Sequence, residues 1–216
     1  MTVEQTIRKY RLLPVIEIDE SSQIYGLADA LLAGGLPVAE ITLRTPAALK
    51  AIEALTAAQS GITVGAGTVS TVGQVDAVVD AGARFVISPG INPAVVERCL
   101  ELGMPVFPGV CTPTDIELAI ALGLDTVKFF PAEASGGVAM LSALVGPYGD
   151  LNFIPTGGIS PDNLQAYLIM PNVLACGGSW MVPRHLIQQL AFDEIAKLTA
   201  KAVMLAKTKP AEAEAA

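Results

Sequence analysis

The stretch Thr126-Val127-Lys128-Phe129-Phe130-Pro131 decides how this chain is read. It sets a lysine inside a short apolar run, bounded by Gly123 on one side and by Pro131 and Gly136-Gly137 on the other, the pattern of a buried strand. Burying an ammonium is expensive, so this lysine needs a reason. The remaining lysines, Lys9, Lys50, Lys197, Lys201, Lys207 and Lys209, stand in polar or helical contexts where solvation accounts for them. Two readings of Lys128 stand side by side on the strand alone. Desolvation favours the neutral amine, and a neutral amine attacks a carbonyl to form a Schiff base. Alternatively, the stem packs and the head reaches back to water.

Working outward, the 216 residues fit one domain with a full core. With 52% hydrophobic and 16% charged residues, the chain reads as a well-buried globular protein. No apolar run is long enough to span a bilayer, and the polar, basic start from Met1 to Arg11 lacks a signal-peptide core, so the expectation is a cytoplasmic protein without a membrane partner. A net charge of −8 with no basic cluster argues against nucleic acid. An anionic substrate would therefore have to be held by local groups against the overall field. Cys99, Cys111 and Cys176 are too few and too scattered for a disulfide framework or a zinc site and read as packing residues. The one histidine, His185, has no partner at ligand spacing, so no metal is expected.

After an amphipathic start at Val3 to Tyr10, strand-like runs alternate with helical ones eight times. The strands are expected at 13–18, 38–44, 63–68, 85–88, 106–108, 126–130, 152–156 and 173–177. Helices are expected at 24–33, 46–59, 72–81, 93–102, 114–122, 138–145, 161–168 and 192–206. Pro46, Pro93 and Pro161 suit first helical positions behind Thr45, Asn92 and Ser160, and Gly34, Gly82, Gly103 and Gly123 suit left-handed helix ends. The pattern predicts an α/β fold: a single (β/α)8 TIM barrel over residues 1–206 with a short N-terminal helix, then a flexible tail at 207–216. An open doubly wound sheet is the weaker reading, because no strand leads into a dinucleotide fingerprint.

In a barrel, chemistry collects at the C-terminal ends of the strands. Alternation puts Val38, Glu40, Thr42 and Arg44 on one face of their strand, opposite the apolar Ala39, Ile41 and Leu43. The same parity gives Thr126, Lys128 and Phe130 a common face, so Lys128 is expected to share the lumen with Glu40 and Arg44. An internal Glu40–Arg44 ion pair is the bland alternative. Glycine-rich strand ends recur at Gly65-Ala66-Gly67-Thr68, Pro108-Gly109, Pro155-Thr156-Gly157-Gly158-Ile159-Ser160 and Gly177-Gly178-Ser179-Trp180. The last two follow the seventh and eighth strands, where barrels hold phosphate on backbone N–H groups, which makes Gly157, Gly158 and Ser179 candidate donors. Glu133 reads as a solvated loop residue, Trp180 as a core or subunit contact, and Asp115 and Glu117 as first-turn helix acids.

Taken in order, Glu40-Ile41-Thr42-Leu43-Arg44-Thr45, Gly65-Ala66-Gly67-Thr68, Ser88-Pro89-Gly90, Pro108-Gly109-Val110, Lys128-Phe129-Phe130-Pro131-Ala132-Glu133, the Pro155–Ser160 run and the Gly177–Trp180 run resemble 2-keto-3-deoxy-6-phosphogluconate (KDPG) aldolases. The resemblance spans about residues 10 to 205. It implies a cofactor-free class I aldolase of the Entner–Doudoroff pathway, a homotrimer of barrels that cleaves the phosphorylated 2-keto acid to pyruvate and glyceraldehyde 3-phosphate. It further implies that Lys128 forms the Schiff base and that Glu40 shuttles protons through a water. Arg44 and Thr68 would hold the pyruvate carboxylate, Gly157, Gly158 and Ser179 the phosphate, and Thr156 the sugar-acid hydroxyls that separate KDPG from its galactonate epimer. Glu17 departs from relatives that carry arginine in the first strand, so the anion site is not extended there. Rival readings are an aldolase preferring 4-hydroxy-2-oxoglutarate or the galactonate epimer, a trimeric barrel serving as an assembly scaffold, and a phosphosugar isomerase or epimerase.

Overall fold

The computed structural model describes residues 1–208. The expected N-terminal helix is present as α1 (Val3–Tyr10), closed by a capping box in which Thr2 and Gln5 bond each other's backbone N–H groups. Strands and helices then alternate: β1 (Leu12–Ile16), α2 (Ile24–Ala33), β2 (Val38–Thr42), α3 (Ala48–Ala57), β3 (Thr63–Gly67), α4 (Val72–Asp80), β4 (Val86–Ile87) and α5 (Pro93–Glu101). The chain continues through β5 (Val106–Phe107), β6 (Gly109–Val110), α6 (Pro113–Ala121), β7 (Thr126–Phe129), α7 (Gly137–Val145), β8 (Asn152–Pro155), α8 (Leu164–Leu168), β9 (Cys176–Gly178), α9 (Arg184–Gln188) and α10 (Phe192–Lys207).

Among the described residues the strands form a six-stranded sheet in the order β5-β4-β3-β2-β1-β9 and a three-stranded sheet in the order β6-β7-β8. Every pairing is parallel. Parallel strands covered on both faces should be apolar throughout, and all five residues of β2 are buried. The break between the two sheets falls at Pro108, which has no N–H to give a ladder: the expected 106–108 strand ends one residue early as β5, and pairing resumes beyond it in β6, which the sequence pattern does not predict. Its carbonyl still accepts from Lys128 N at 2.9 Å. At the other break, isolated parallel bridges join Phe153 to Val173 and Thr156 to Gly177.

The helix ends correct three expectations. Pro93 and Pro113 occupy first helical turns, behind the capping side chains of Asn92 and Thr112, but Pro46 and Pro161 do not. Thr45 spends its hydroxyl on Ile18 O, and α3 starts later, at Ala48. Asn163, not Ser160, precedes α8. Gly82, Gly103 and Gly123 do take left-handed φ values of 85°, 63° and 79°, but after α2 it is Gly35, at 78°, that makes the reversal. Gly34 has another duty: a Cβ there would lie 2.5 Å from Thr199 Cβ, so its smallness lets α2 lie against α10. The final helix runs one residue past the expected end, through Lys207, and the rest of the expected tail, from residue 209, lies outside the described residues.

Of the cysteines, Cys99 and Cys176 are buried packing residues as expected, whereas Cys111 is only partly buried and its Sγ lies 3.1 Å from Ser135 Oγ. Burial pushes the Cys99 thiol up to about 11, and burial also pushes Cys176 upward. No helix among the described residues is long and apolar enough to cross a membrane.

Candidate active site

Lys128 lies in β7, its register partners being Gly109 in β6 and Ile154 in β8. Glu40 lies in β2, opposite Val15 in β1 and Gly65 in β3. The two belong to different sheets, yet Lys128 Nζ stands 3.5 Å from Glu40 Oε1, with side-chain exposures of 5% and 1%. This settles the bland alternatives: the lysine head does not reach water, and Glu40 pairs with Lys128 and not with Arg44. Glu40 Oε2 is buried with no hydrogen-bond partner among the described residues. Such a pair costs desolvation on both sides and is poor evidence for a stabilising role. A carboxylate with a spare acceptor beside a dry amine can take and return protons, and the amine, once neutral, is a nucleophile for carbonyl carbon.

The space for this pair is made by a glycine. A Cβ on Gly67 would fall 2.3 Å from Glu40 Oε1 and 2.7 Å from Glu40 Cγ. Phe130, on the same side of its segment as Lys128, sets its ring centroid 5.1 Å from Nζ. Thr42, the next residue on the Glu40 face, donates to Ile16 O at 2.8 Å and ties β2 to β1.

Arg44 lies beyond the end of β2 and is half exposed. Its Nε donates to Thr68 Oγ1 at 3.3 Å and its Nη1 stands 4.0 Å from Glu17 Oε2. Thr68 adopts φ 61°, a left-handed conformation that costs a β-branched residue more than most and is held where the surroundings demand it. Beyond Glu17 lies Arg184 in α9, which bonds the carboxylates of Glu17 and Asp19. Hydrogen bonds from Arg184 and then Gln188 hold the Asp19 carboxyl below its usual range.

Thr156, Gly157 and Gly158 follow β8, the glycines at φ 102° and 80°. Gly177 keeps the way clear for Thr156, since a Cβ there would meet Thr156 Oγ1 at 2.2 Å. A cavity of about 150 Å³ is lined by Arg44, Phe130, Thr156, Gly157, Gly158 and Ser179, among others. A second, of about 160 Å³, shares Arg44 and Ser179 with it and adds Glu17 and Arg184. A larger cavity of about 320 Å³ lies beside α1 and the start of β7, lined by Thr2, Phe107 and Thr126, away from the buried pair.

The residues singled out from the sequence thus converge. Arg44, Thr156, Gly157, Gly158 and Ser179 line one cavity, Thr68 joins it through Arg44, and Phe130 connects it to Lys128 and Glu40. Sequence reasoning missed Arg184, which stands in a polar stretch with nothing to mark it, and the bond from the Tyr167 hydroxyl to Glu133. His185 lies in α9, and among the described residues no cluster of His, Cys, Asp and Glu has the arrangement of a metal site.

A parallel α/β fold with a buried lysine–carboxylate pair bridging its two sheets defines the general class of lysine-bearing α/β enzymes. The comparisons with known proteins narrow it. Residues 3–198 match the family described as KDPG and KHG aldolase, and the chain belongs to that family. It is 47% identical to a 2-dehydro-3-deoxy-phosphogluconate aldolase of Haemophilus influenzae over 95% of this chain and 99% of that one. It is 43% identical to a KHG/KDPG aldolase of Escherichia coli over 91% of this chain and 92% of that one. The crystal structure of a KDPG aldolase from Legionella pneumophila, with pyruvate captured at low pH as a covalent carbinolamine intermediate, superposes with a TM-score of 0.90 at 40% identity, over 94% of this chain and 98% of that one.

Proposed function

We propose that this chain is a class I aldolase that cleaves KDPG to pyruvate and glyceraldehyde 3-phosphate. The observation that carries the reading is the buried 3.5 Å approach of Lys128 to Glu40 between the two sheets, beside a cavity rich in anion donors. The neutral Lys128 amine adds to the C2 carbonyl, and the carbinolamine loses water to give a protonated Schiff base. Glu40, through a water, takes the C4 hydroxyl proton. The C3–C4 bond then breaks, its electron pair passes into the iminium to form an enamine, and the aldehyde leaves. Glu40 returns the proton to C3, and water releases pyruvate and the free lysine. These steps draw on side chains, substrate and water alone.

Arg44 and Thr68 would hold the carboxylate of the pyruvate half, Thr156 the hydroxyls, and Gly157, Gly158 and Ser179 the phosphate. The shared cavity and the left-handed Thr68 support this division. Borohydride reduction with pyruvate, followed by peptide mass mapping, should add a reduced pyruvyl group to Lys128; an unmodified lysine refutes the imine. A second activity, on 4-hydroxy-2-oxoglutarate, is supported by the 43% identity to the Escherichia coli protein named KHG/KDPG aldolase. Comparing kcat/KM on KDPG, its galactonate epimer and 4-hydroxy-2-oxoglutarate ranks the three. Turnover that is lost in Lys128→Ala with the assembly intact would argue against a scaffold role.

The same reading takes the two sheets as arcs of one closed (β/α)8 barrel over residues 1–206. The Thr156–Gly177 bridge at one break and the Pro108–Lys128 hydrogen bond at the other support closure. A cytoplasmic homotrimer acting on a phosphorylated 2-keto acid completes the proposal, and sedimentation velocity tests the trimer.

A further inference from the structure

The turn after the lysine strand and the turn after β8 are stitched together. Ala132 N donates to Thr156 O at 2.8 Å, and Glu133 N donates to Gly157 O at 3.0 Å. Glu133 extends the stitch beyond the backbone. Its Cβ and Cγ lie across Gly158, where an added Cβ would stand 2.6 and 2.7 Å from them. Its carboxylate accepts from the Tyr167 hydroxyl, and Tyr167 is fully buried within α8. Gly137, at φ 61°, packs against the contact from one side: a Cβ there would lie 3.0 Å from Glu133 Oε1 and 3.3 Å from the Tyr167 hydroxyl oxygen.

A surface glutamate with a free side chain would sample many rotamers, and a Gly-Gly turn has the least conformational preference of any pair. Here each removes the other's freedom. Glu133 is anchored at its far end to a core residue and leans on the turn with its near end. Burial, reinforced by the Glu133 carboxylate, pushes the Tyr167 hydroxyl well above the ordinary phenol range, so it remains a donor through the working pH range.

We propose that Glu133 is a positioning residue for the phosphate end of the substrate: clasped by Tyr167, it holds the Gly157–Gly158 turn in the shape that presents N–H groups to an anion. The inference rests on the assignment of that turn to phosphate under the proposed function. It assigns the pair no part in the imine chemistry.

Three variants separate the parts. Glu133→Ala removes packing and acceptor, Tyr167→Phe removes only the hydroxyl while keeping the ring in the core, and Glu133→Gln keeps an acceptor and the packing. Steady-state kinetics on KDPG and on unphosphorylated 2-keto-3-deoxygluconate, together with the pyruvate concentration needed for half-maximal borohydride trapping, read the effect. Glu133→Ala and Tyr167→Phe should raise KM for KDPG roughly five- to tenfold, with kcat changing by less than about twofold. The advantage over the unphosphorylated substrate should shrink by the same factor, trapping should not move, and Glu133→Gln should stay within about twofold of wild type. Equal losses on both substrates and in trapping, or an unchanged KM for KDPG, overturn the inference while the phosphate assignment stands. A wild-type enzyme with no advantage for the phosphorylated substrate overturns that assignment and the inference with it.

Discussion

Lys128 Nζ and Glu40 Oε1 stand 3.5 Å apart although their residues are carried by separate sheets and lie 88 positions apart in the chain. A single polar step links an amine able to form an imine to a carboxylate able to move protons. The two roles should therefore come apart under mutation. Glu40→Gln should still trap pyruvate on Lys128 under borohydride but lose kcat by about 100-fold or more, in the range of a lost general base. Equal loss of trapping and turnover would mean that Glu40 serves mainly to set the lysine.

The room beside Glu40 is equally specific. Gly67→Ala puts a methyl 2.3 Å from Glu40 Oε1 and must displace the carboxylate. Because Gly67 does not need a left-handed φ, the strand itself tolerates alanine. The expectation is a fall in kcat of about tenfold or more, with far-ultraviolet circular dichroism unchanged, since small misplacements at a reacting centre are costly. A fully active Gly67→Ala enzyme would show that Glu40 need not sit where it does.

Much of this was legible in the sequence, for identifiable reasons. Alternation across strands put Glu40 and Lys128 on faces that meet, because a period of two leaves a buried strand no freedom about which face a residue takes. Arg44, expected on the same face, lies past the last residue of β2 and lines a cavity with Phe130 and Thr156. Pro108 reads in the sequence as a strand end, although a proline with no donor can also sit between two paired segments. Pro46 misled because Thr45 found a tertiary acceptor in Ile18 O. Glu133 is exposed, as a loop residue should be, but its bond to Tyr167 escapes the sequence because the two lie 34 residues apart and no local pattern reveals how α8 packs.

Helix capping gives a stability prediction far from the chemistry. Thr112 accepts from Asp115 N, and the Asp115 carboxylate in turn accepts from Cys111 N and Thr112 N, with Pro113 at the first turn of α6. Thr112→Ala should lower unfolding free energy by about 1 kcal/mol, measured as a shifted urea midpoint with unchanged m. No shift would mean that Pro113 and Asp115 suffice to start the helix.

Alkaline pH provides another. The Cys99 thiol is raised to about 11 by burial, above the value near 8.5 of an unfolded thiol. Between those values the unfolded chain releases a proton that the folded one keeps, so stability is full below about pH 8.5 and falls as pH climbs towards 11, by up to about 1.4 kcal/mol per pH unit for this group. Cys99→Ala should lower the melting temperature at neutral pH through the cavity it leaves, and flatten its decline between about pH 9 and 10.5. An unaltered slope would remove Cys99 from the titration.

The missing N–H of Pro108 has an outcome well away from that residue. It places a seam in the hydrogen-bonded frame, with the acid mounted on one flank and the amine on the other. The gap between those two side chains therefore gauges how the flanks are aligned, and a change in alignment reaches the reacting groups even where each ladder stays intact.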